Sequence, residues 1–191
     1  MQKIGKHTIK FNTPPTILET ACIVGPKEAD GPLAKYFDQC LDDEFWGEDS
    51  WEKAESKIIK ETVNTAVSKS KLPQNKIDYC FAGDLLNQCI SSGFGLRDLN
   101  VPYFGVFGAC STFVEGMTLA SIFCENGAAD YALCATSSHF CSAEKQFRFP
   151  LELRKPKTTK CTVDRNRSRQ RNHFKIWARS FYYNCYSWKN C

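Results

Sequence analysis

The sequence lacks the closely spaced cysteines and histidines that bind metals, and it has no apolar run long enough to cross a membrane. Its eleven cysteines form no CxxC pair, and the N-terminal residues do not resemble a secretory leader. We therefore expect reduced thiols in a cytosolic protein rather than a disulfide framework. The longest apolar stretches are interrupted by Gly, Asp or Ser well short of the roughly 20 residues of a membrane span. Neither a metal site nor a membrane span is expected.

Negative charge is nearly absent from the end of the chain. Residues 164–191 hold seven Lys and Arg and one Asp, whereas residues 1–163 hold 18 Lys and Arg and 20 Asp and Glu. The net charge of +4 therefore averages two dissimilar pieces, and the net positive charge comes from the tail.

Apolar strands and helices alternate through the first part of the chain. Ser50 is a good N-cap for a helix to about Lys69, because its side chain can accept from the amides of the first turn. Such alternation predicts an α/β fold with a mostly parallel sheet covered by helices, and ligands of such sheets gather beyond the carboxyl ends of the strands. The predicted strands are 17–24, 77–82, 101–107 and 131–136, and a second long helix runs to about Glu125.

Cys110 follows one of these strands and precedes a helix. Unpaired amides and the positive end of the helix dipole lower the pKa of such a thiol and favour a nearby anion. The small neighbours Gly108 and Ala109 permit close approach to the backbone. Cysteine is also among the most buried residue types, so the alternative is a packing role.

Three more polar positions follow strand ends or lie just beyond them. Asp84 is either a ligand contact or a turn former. His139 could be a base, a donor or an anion partner, or a satisfied structural residue, and a thiolate–imidazole pair with Cys110 would require the two to lie within reach. Arg148 could hold a carboxylate in a bidentate fork, or could be a surface residue between two buried phenylalanines.

Five segments together resemble the stage V sporulation protein AD family, thiolase-fold proteins of spore-forming Firmicutes. The Cys110 segment alone would fit any thiolase or ketoacyl-synthase relative, but the combination is specific and extends to about Val163. The segments are GPKEADGPL at 25–33, AGDLLNQ at 82–88, FGACST at 107–112, ATSSH at 135–139 and AEKQFRFP at 143–150.

The resemblance implies a thiolase-like α/β fold of which this chain holds the N-terminal half, residues 1–163, with a mixed, mostly parallel sheet. It also implies a dipicolinic-acid-binding component of the spore channel machinery, serving uptake into the forespore and release at germination. The implied partners are dipicolinic acid, alone or as its calcium chelate, and the membrane channel proteins of the same operon, with a homodimer as a further expectation. The implied location is cytoplasmic, at the forespore or spore inner membrane, and no other cofactor is expected.

A planar dianion would be held by a helix N-terminus, hydroxyl groups and a cation. The alternative function is a thiolase-type acyltransferase that uses Cys110 as its nucleophile. Because the other catalytic residues of thiolase-fold enzymes come largely from the second half, we do not expect this chain to be an enzyme. The residues expected to bind the ligand are Asp84, Cys110, Ser111, Ser137, Ser138, His139 and Arg148.

The family pattern stops abruptly after Val163. The family would continue with Thr-Gly-x-Gly-Ala, and a shift of one nucleotide, with permitted codons, recovers Thr-Gly-Ile-Gly-Ala from the residues that follow. We therefore predict that residues 164–191 are an out-of-frame, disordered tail of a truncated product. The alternative is a nucleic-acid-binding segment, because arginines at alternate positions precede several aromatic residues there; we expect no nucleic-acid partner.

Overall fold

The computed structural model describes residues 1–139 and 141–142 in full and the backbone of residues 178–184. Its strands are β1 (Gln2–Lys3), β2 (Ile9–Lys10), β3 (Thr16–Val24), β4 (Gln39–Cys40), β5 (Tyr79–Gly83), β6 (Tyr103–Gly105), β7 (Tyr131–Thr136) and β8 (Ala178–Asn184). Its α-helices are α1 (Pro26–Ala29), α2 (Trp51–Ser70), α3 (Ile90–Leu96) and α4 (Thr112–Glu125). Short 3-10 turns cover Ala34–Tyr36, Gln74–Lys76, Asn87–Cys89, Arg97–Leu99 and Ala109–Ser111.

The main sheet has the order β4-β3-β8-β7-β5-β6. Strand β3 pairs in parallel with β4, and β5 pairs in parallel with both β6 and β7. Strand β8 runs antiparallel to its neighbours β3 and β7, so five strands share one direction. This confirms the predicted α/β class with a mixed, mostly parallel sheet.

Strand β8 corrects part of the expectation for the tail. Residues 178–184 fall within the segment predicted to be disordered, and their backbone instead pairs with β3 on one side and β7 on the other. Without a strand in this position, the facing edges of β3 and β7 would leave two rows of backbone donors and acceptors without strand partners. The other residues of 164–191 lie outside the described part of the chain.

Helices cover both faces of the sheet, and successive side chains of a strand pack against opposite faces. In β5, Cys80 and Ala82 pack on the side of α2, whereas Phe81 packs on the side of α4. Both faces are therefore buried, which explains the near-continuous apolar runs of the central strands. Ser50 caps α2 as predicted, since its Oγ accepts from the amide of Lys53 at 3.3 Å.

Two elements differ from the sequence prediction. Strand β6 is shorter than the predicted 101–107, because the chain leaves the sheet after the Val106 amide bonds to the Ala82 carbonyl at 2.9 Å. The first residues, which precede the first predicted strand at 17–24, form the antiparallel pair β1 and β2. Strands of two residues are too short to leave a periodic signal in a sequence.

Candidate functional site

The carboxyl ends of β5, β6 and β7 lie side by side, as the sequence predicts. Ala82 is in register with Gly105, and Gly83 with Thr136. Asp84 follows β5, the turn with Cys110 follows β6, and residues 137–139 follow β7. One edge of the sheet therefore gathers the three segments that carry six of the seven predicted site residues.

Gly83 joins two of these strand ends. A Cβ at this position would overlap the Val106 carbonyl oxygen and lie 2.8 Å from the methyl carbon of Thr112. Its own carbonyl accepts from the Ser137 amide at 3.2 Å. Only glycine lets the end of β5 contact the start of α4 this closely while it also binds the segment after β7.

The turn with Cys110 is exposed. Ala109–Ser111 form a 3-10 turn directly before α4, with Cys110 and Ser111 both exposed and Ala109 at a φ of 50°. The Gly108 amide donates to Oγ1 of Thr112 at 2.9 Å, and Oγ of Ser111 donates to the Gly108 carbonyl at 2.8 Å and to the Glu115 carboxylate. The turn is held by bonds to itself and to its own helix, which leaves the Cys110 thiol facing solvent.

Asp84 is buried and fully engaged. One carboxylate oxygen accepts from the Leu86 amide at 2.8 Å, and the other accepts from the amide and hydroxyl of Ser92 at 2.7 and 2.6 Å. With 2% of the residue exposed, the turn-forming interpretation is the one that this geometry supports. Asp84 thus fixes the start of α3 against the end of β5.

Glu55 is a buried carboxyl group that sequence reasoning missed. Its two oxygens accept from the hydroxyls of Ser137 and Ser142 at 3.0 and 2.9 Å. Burial raises the pKa of Glu55 to about 7, the negative charge of Asp84 adds to the rise, and the two hydroxyls oppose it. The sequence signal that could have revealed Glu55 is the presence of an acidic residue beside Ala54 on the apolar face of α2.

His139 is buried, and its ring nitrogens are both occupied. Nδ1 accepts from the Cys141 amide at 3.1 Å, so Nε2 carries the proton and donates to the Glu44 carbonyl at 2.8 Å. Burial lowers the pKa of His139, which favours this neutral form. The imidazole therefore has no free nitrogen to offer Cys110, and the geometry does not support the thiolate–imidazole pair.

Ser138 and Arg148 are the two remaining residues predicted to bind the ligand. The Ser138 hydroxyl is buried and has no hydrogen-bond partner within the described residues. Arg148 lies outside the described residues, so its expected role stays a prediction.

Solved structures of low sequence identity share this architecture. Acetamide-bound OleA of Xanthomonas campestris matches with a TM-score of 0.61 and 18% identity, over 92% of this chain and 60% of that chain. 3-Oxoacyl-(acyl carrier protein) synthase III, FabH, of Xanthomonas oryzae matches with a TM-score of 0.57 and 17% identity, over 92% of this chain and 57% of that chain. At these identities the likeness defines the fold alone, which is thiolase-like.

The family follows from the sequence itself. The profile of the Stage V sporulation protein AD (SpoVAD) family matches residues 5–167. Stage V sporulation protein AD of Bacillus subtilis is 42% identical over 165 residues, which are 85% of this chain and 49% of that protein. The chain belongs to this family of sporulation proteins, and it spans about half the length of the Bacillus relative.

Within residues 1–139 and 141–142, no group of three or more His, Cys, Asp and Glu side chains is placed to hold a metal ion. No helix in the described part of the chain is long and apolar enough to span a bilayer.

Proposed function

We propose that the chain is the N-terminal half of a dipicolinic-acid-binding protein that serves dipicolinate uptake into the forespore and its release at germination. The observation that carries the proposal is the exposed Cys110–Ser111 turn at the start of α4, in a chain that belongs to a sporulation family. A helix of this length presents the positive end of its dipole to a carboxylate at that position. The thiol and the neighbouring hydroxyl add polar contacts.

Glu115 makes the calcium chelate the better ligand for this turn. Its carboxylate lies against Gly108 and accepts from Ser111, so a free dianion bound there would meet a negative charge. In the chelate, calcium neutralises the dianion and prefers oxygen ligands such as carboxylates. We therefore propose that calcium enters the site with dipicolinate and not before it.

We also propose protein partners and a location in the cell. The protein would work beside the membrane channel proteins of the same operon, at the inner membrane of the forespore or spore. A homodimer is a further proposal, and light scattering of the purified chain tests it.

Calorimetric titration of the full chain with dipicolinate, with and without calcium, tests the ligand. Cys110→Ala, Ser111→Ala and Arg148→Ala should each weaken binding about tenfold, the loss of one good polar contact. Ser68→Ala, an exposed serine on α2, is the matched control and should leave the affinity unchanged. If all four variants bind like the parent, the pocket is assigned to the wrong residues.

Acyl transfer through Cys110 is the second candidate, because an exposed cysteine at a helix start is chemically suited to be a nucleophile. Incubation with an acyl-CoA followed by mass spectrometry separates the two functions. A binding protein should gain no acyl group, whereas acylation that disappears in Cys110→Ala would establish the transferase.

We further propose that residues 164–191 are read out of frame. The family profile ends at residue 167, close to the predicted break after Val163, which supports a change of reading frame there. Sequencing the gene across codons 150–191 tests this. Thiolase-like coding that resumes in another frame is the expected result, and its absence would contradict the proposal.

A further inference from the structure

The N-terminal hairpin is a projecting element with a defined shape. Strands β1 and β2 pair antiparallel, with Lys3 opposite Ile9, and the Ile4 amide donates to the Thr8 carbonyl at 2.9 Å. Gly5 allows the tight turn with a φ of 79°. Every residue from 1 to 10 is exposed, so the hairpin contributes surface rather than core.

Hydrogen bonds hold the base of this hairpin on the body of the protein. The amides of Asn12 and Thr13 donate to the carboxylate of Glu125, the last residue of α4, at 2.8 and 3.1 Å. The hairpin is therefore presented in a fixed place at the end of α4. A surface held in this way can act as a docking element.

The hairpin is basic, whereas the body that carries it is acidic. It contains Lys3, Lys6 and Lys10, and no Asp or Glu occurs before Glu19. Residues 11–142 hold nine Lys and Arg against eighteen Asp and Glu. Residues 143–191 are basic as well, with thirteen Lys and Arg against three Asp and Glu, so within residues 1–142 the hairpin is the part that a negatively charged surface attracts.

Exposed apolar side chains accompany these lysines. Ile4 and Ile9 are 44% and 52% exposed and lie on opposite faces of the hairpin, Ile9 beside Lys3. An open depression of about 450 Å3 lies here, and no carboxylate is among its described lining residues, which are Met1, Lys3, Lys6, His7, Thr8 and Ile9. Cations interleaved with apolar side chains are typical of an element that lies in the interface of an anionic bilayer.

We propose that the hairpin docks the protein on an anionic lipid bilayer. The lysines contact the headgroup phosphates, and the turn end of the hairpin enters the boundary between headgroups and acyl chains with Ile4 and Ile9 on its two faces. Nucleic acid or a soluble anion would satisfy the lysines but would leave both isoleucines in water. This inference deepens the membrane location proposed above and is independent of dipicolinate binding.

Sedimentation with vesicles tests the proposal on the full chain. Vesicles of phosphatidylcholine alone are compared with vesicles in which phosphatidylglycerol replaces half of it. Each lysine near an anionic surface is worth about fivefold in binding, so Lys3→Glu/Lys6→Glu/Lys10→Glu should reduce it by roughly 100-fold. The control Lys35→Glu/Lys71→Glu/Lys76→Glu changes the net charge equally and should reduce binding by no more than about threefold.

Two further measurements distinguish binding to a bilayer from binding to other anions. Ile4→Ser/Ile9→Ser should weaken vesicle binding several-fold, and inorganic phosphate at equal charge should not compete. Equal losses in the two lysine variants, no preference for phosphatidylglycerol, no effect of the isoleucine variant, or full competition by phosphate would each overturn the proposal. Calorimetry with dipicolinate on the same variants should show unchanged affinity, so failure of the ligand proposal is seen separately.

Discussion

The two strand ends on either side of β5 lead to opposite environments. The segment after β6 exposes Cys110 and Ser111, whereas the segment after β7 buries Ser137 and His139. Both segments begin at the same edge, and both contain small polar residues. Position at the carboxyl edge of a sheet is therefore not enough to make a residue part of a ligand site.

Contacts from distant parts of the chain make the difference. Glu55 of α2 holds Ser137, and the Glu44 carbonyl from the loop before α2 holds His139. The turn with Cys110 is held by bonds within itself and to α4. The end of β7 thus stabilises the fold, and the end of β6 is the side that a ligand can reach.

Removing Glu55 should have the largest effect on stability. Glu55→Ala leaves the hydroxyls of Ser137 and Ser142 without their acceptor and opens a cavity, so we expect a loss of about 3 kcal/mol in the free energy of unfolding. Urea denaturation near pH 4.5, where Glu55 is protonated in the native state, measures it. A loss below about 1 kcal/mol, the size of an ordinary surface change, would show that this buried cluster is not structural.

The pH dependence of stability should also trace to Glu55. Because the folded pKa of about 7 lies above the model value of 4.5, the native state binds more protons than the unfolded state between these values. The stabilisation of the native state by Glu55 is fully present below pH 4.5 and is lost as the pH rises through about 7. A glutamine at position 55 cannot ionise. Between about pH 4.5 and pH 8, the free energy of unfolding of Glu55→Gln should therefore rise relative to that of the parent by roughly 3 kcal/mol. Parallel pH profiles for parent and variant would contradict the assignment.

His139 and His7 form a matched pair for a smaller effect. His139→Ala should cost about 2 kcal/mol, because it removes a buried side chain and the hydrogen bond to the Glu44 carbonyl. His7→Ala, on the exposed hairpin, should change stability by less than about 0.5 kcal/mol. Thermal unfolding of both variants is the measurement, and equal stability would argue that His139 is not a structural residue.

The smallest effect is expected at Cys110. Its side chain is exposed, so Cys110→Ala should alter the free energy of unfolding by less than about 0.5 kcal/mol. Cys134→Ala, in the core between β7 and α4, should cost about 1–2 kcal/mol through lost packing. If Cys110→Ala proved as costly as Cys134→Ala, Cys110 would be a packing residue after all.

Local sequence patterns predicted several main secondary-structure elements of the fold. The Ser50 cap, the bounds of β7 and the place of Cys110 before a helix follow from residues that are near one another in sequence. The fold class follows from the alternation of these elements. Each of these predictions needs only periodicity and the chemistry of helix ends.

Long-range partners could not be predicted in this way. Glu55 and Ser137 are 82 residues apart, and His139 and Glu44 are 95 residues apart. No periodic pattern connects such pairs, so the sequence alone left His139 open between a structural role and a functional one. Strand β8 was missed for a similar reason, since its place depends on the unpaired edges of β3 and β7 rather than on its neighbours in sequence.

Alkylation of Cys110 with and without dipicolinate is the most direct test of the account. The full chain is treated with N-ethylmaleimide, and the labelled cysteines are followed by peptide mass spectrometry. The account predicts that Cys110 reacts faster than the buried Cys80 and Cys134 and that calcium dipicolinate slows only Cys110, about tenfold at saturation. A Cys110 rate unchanged by the ligand would contradict the claim that the exposed strand end is the binding side.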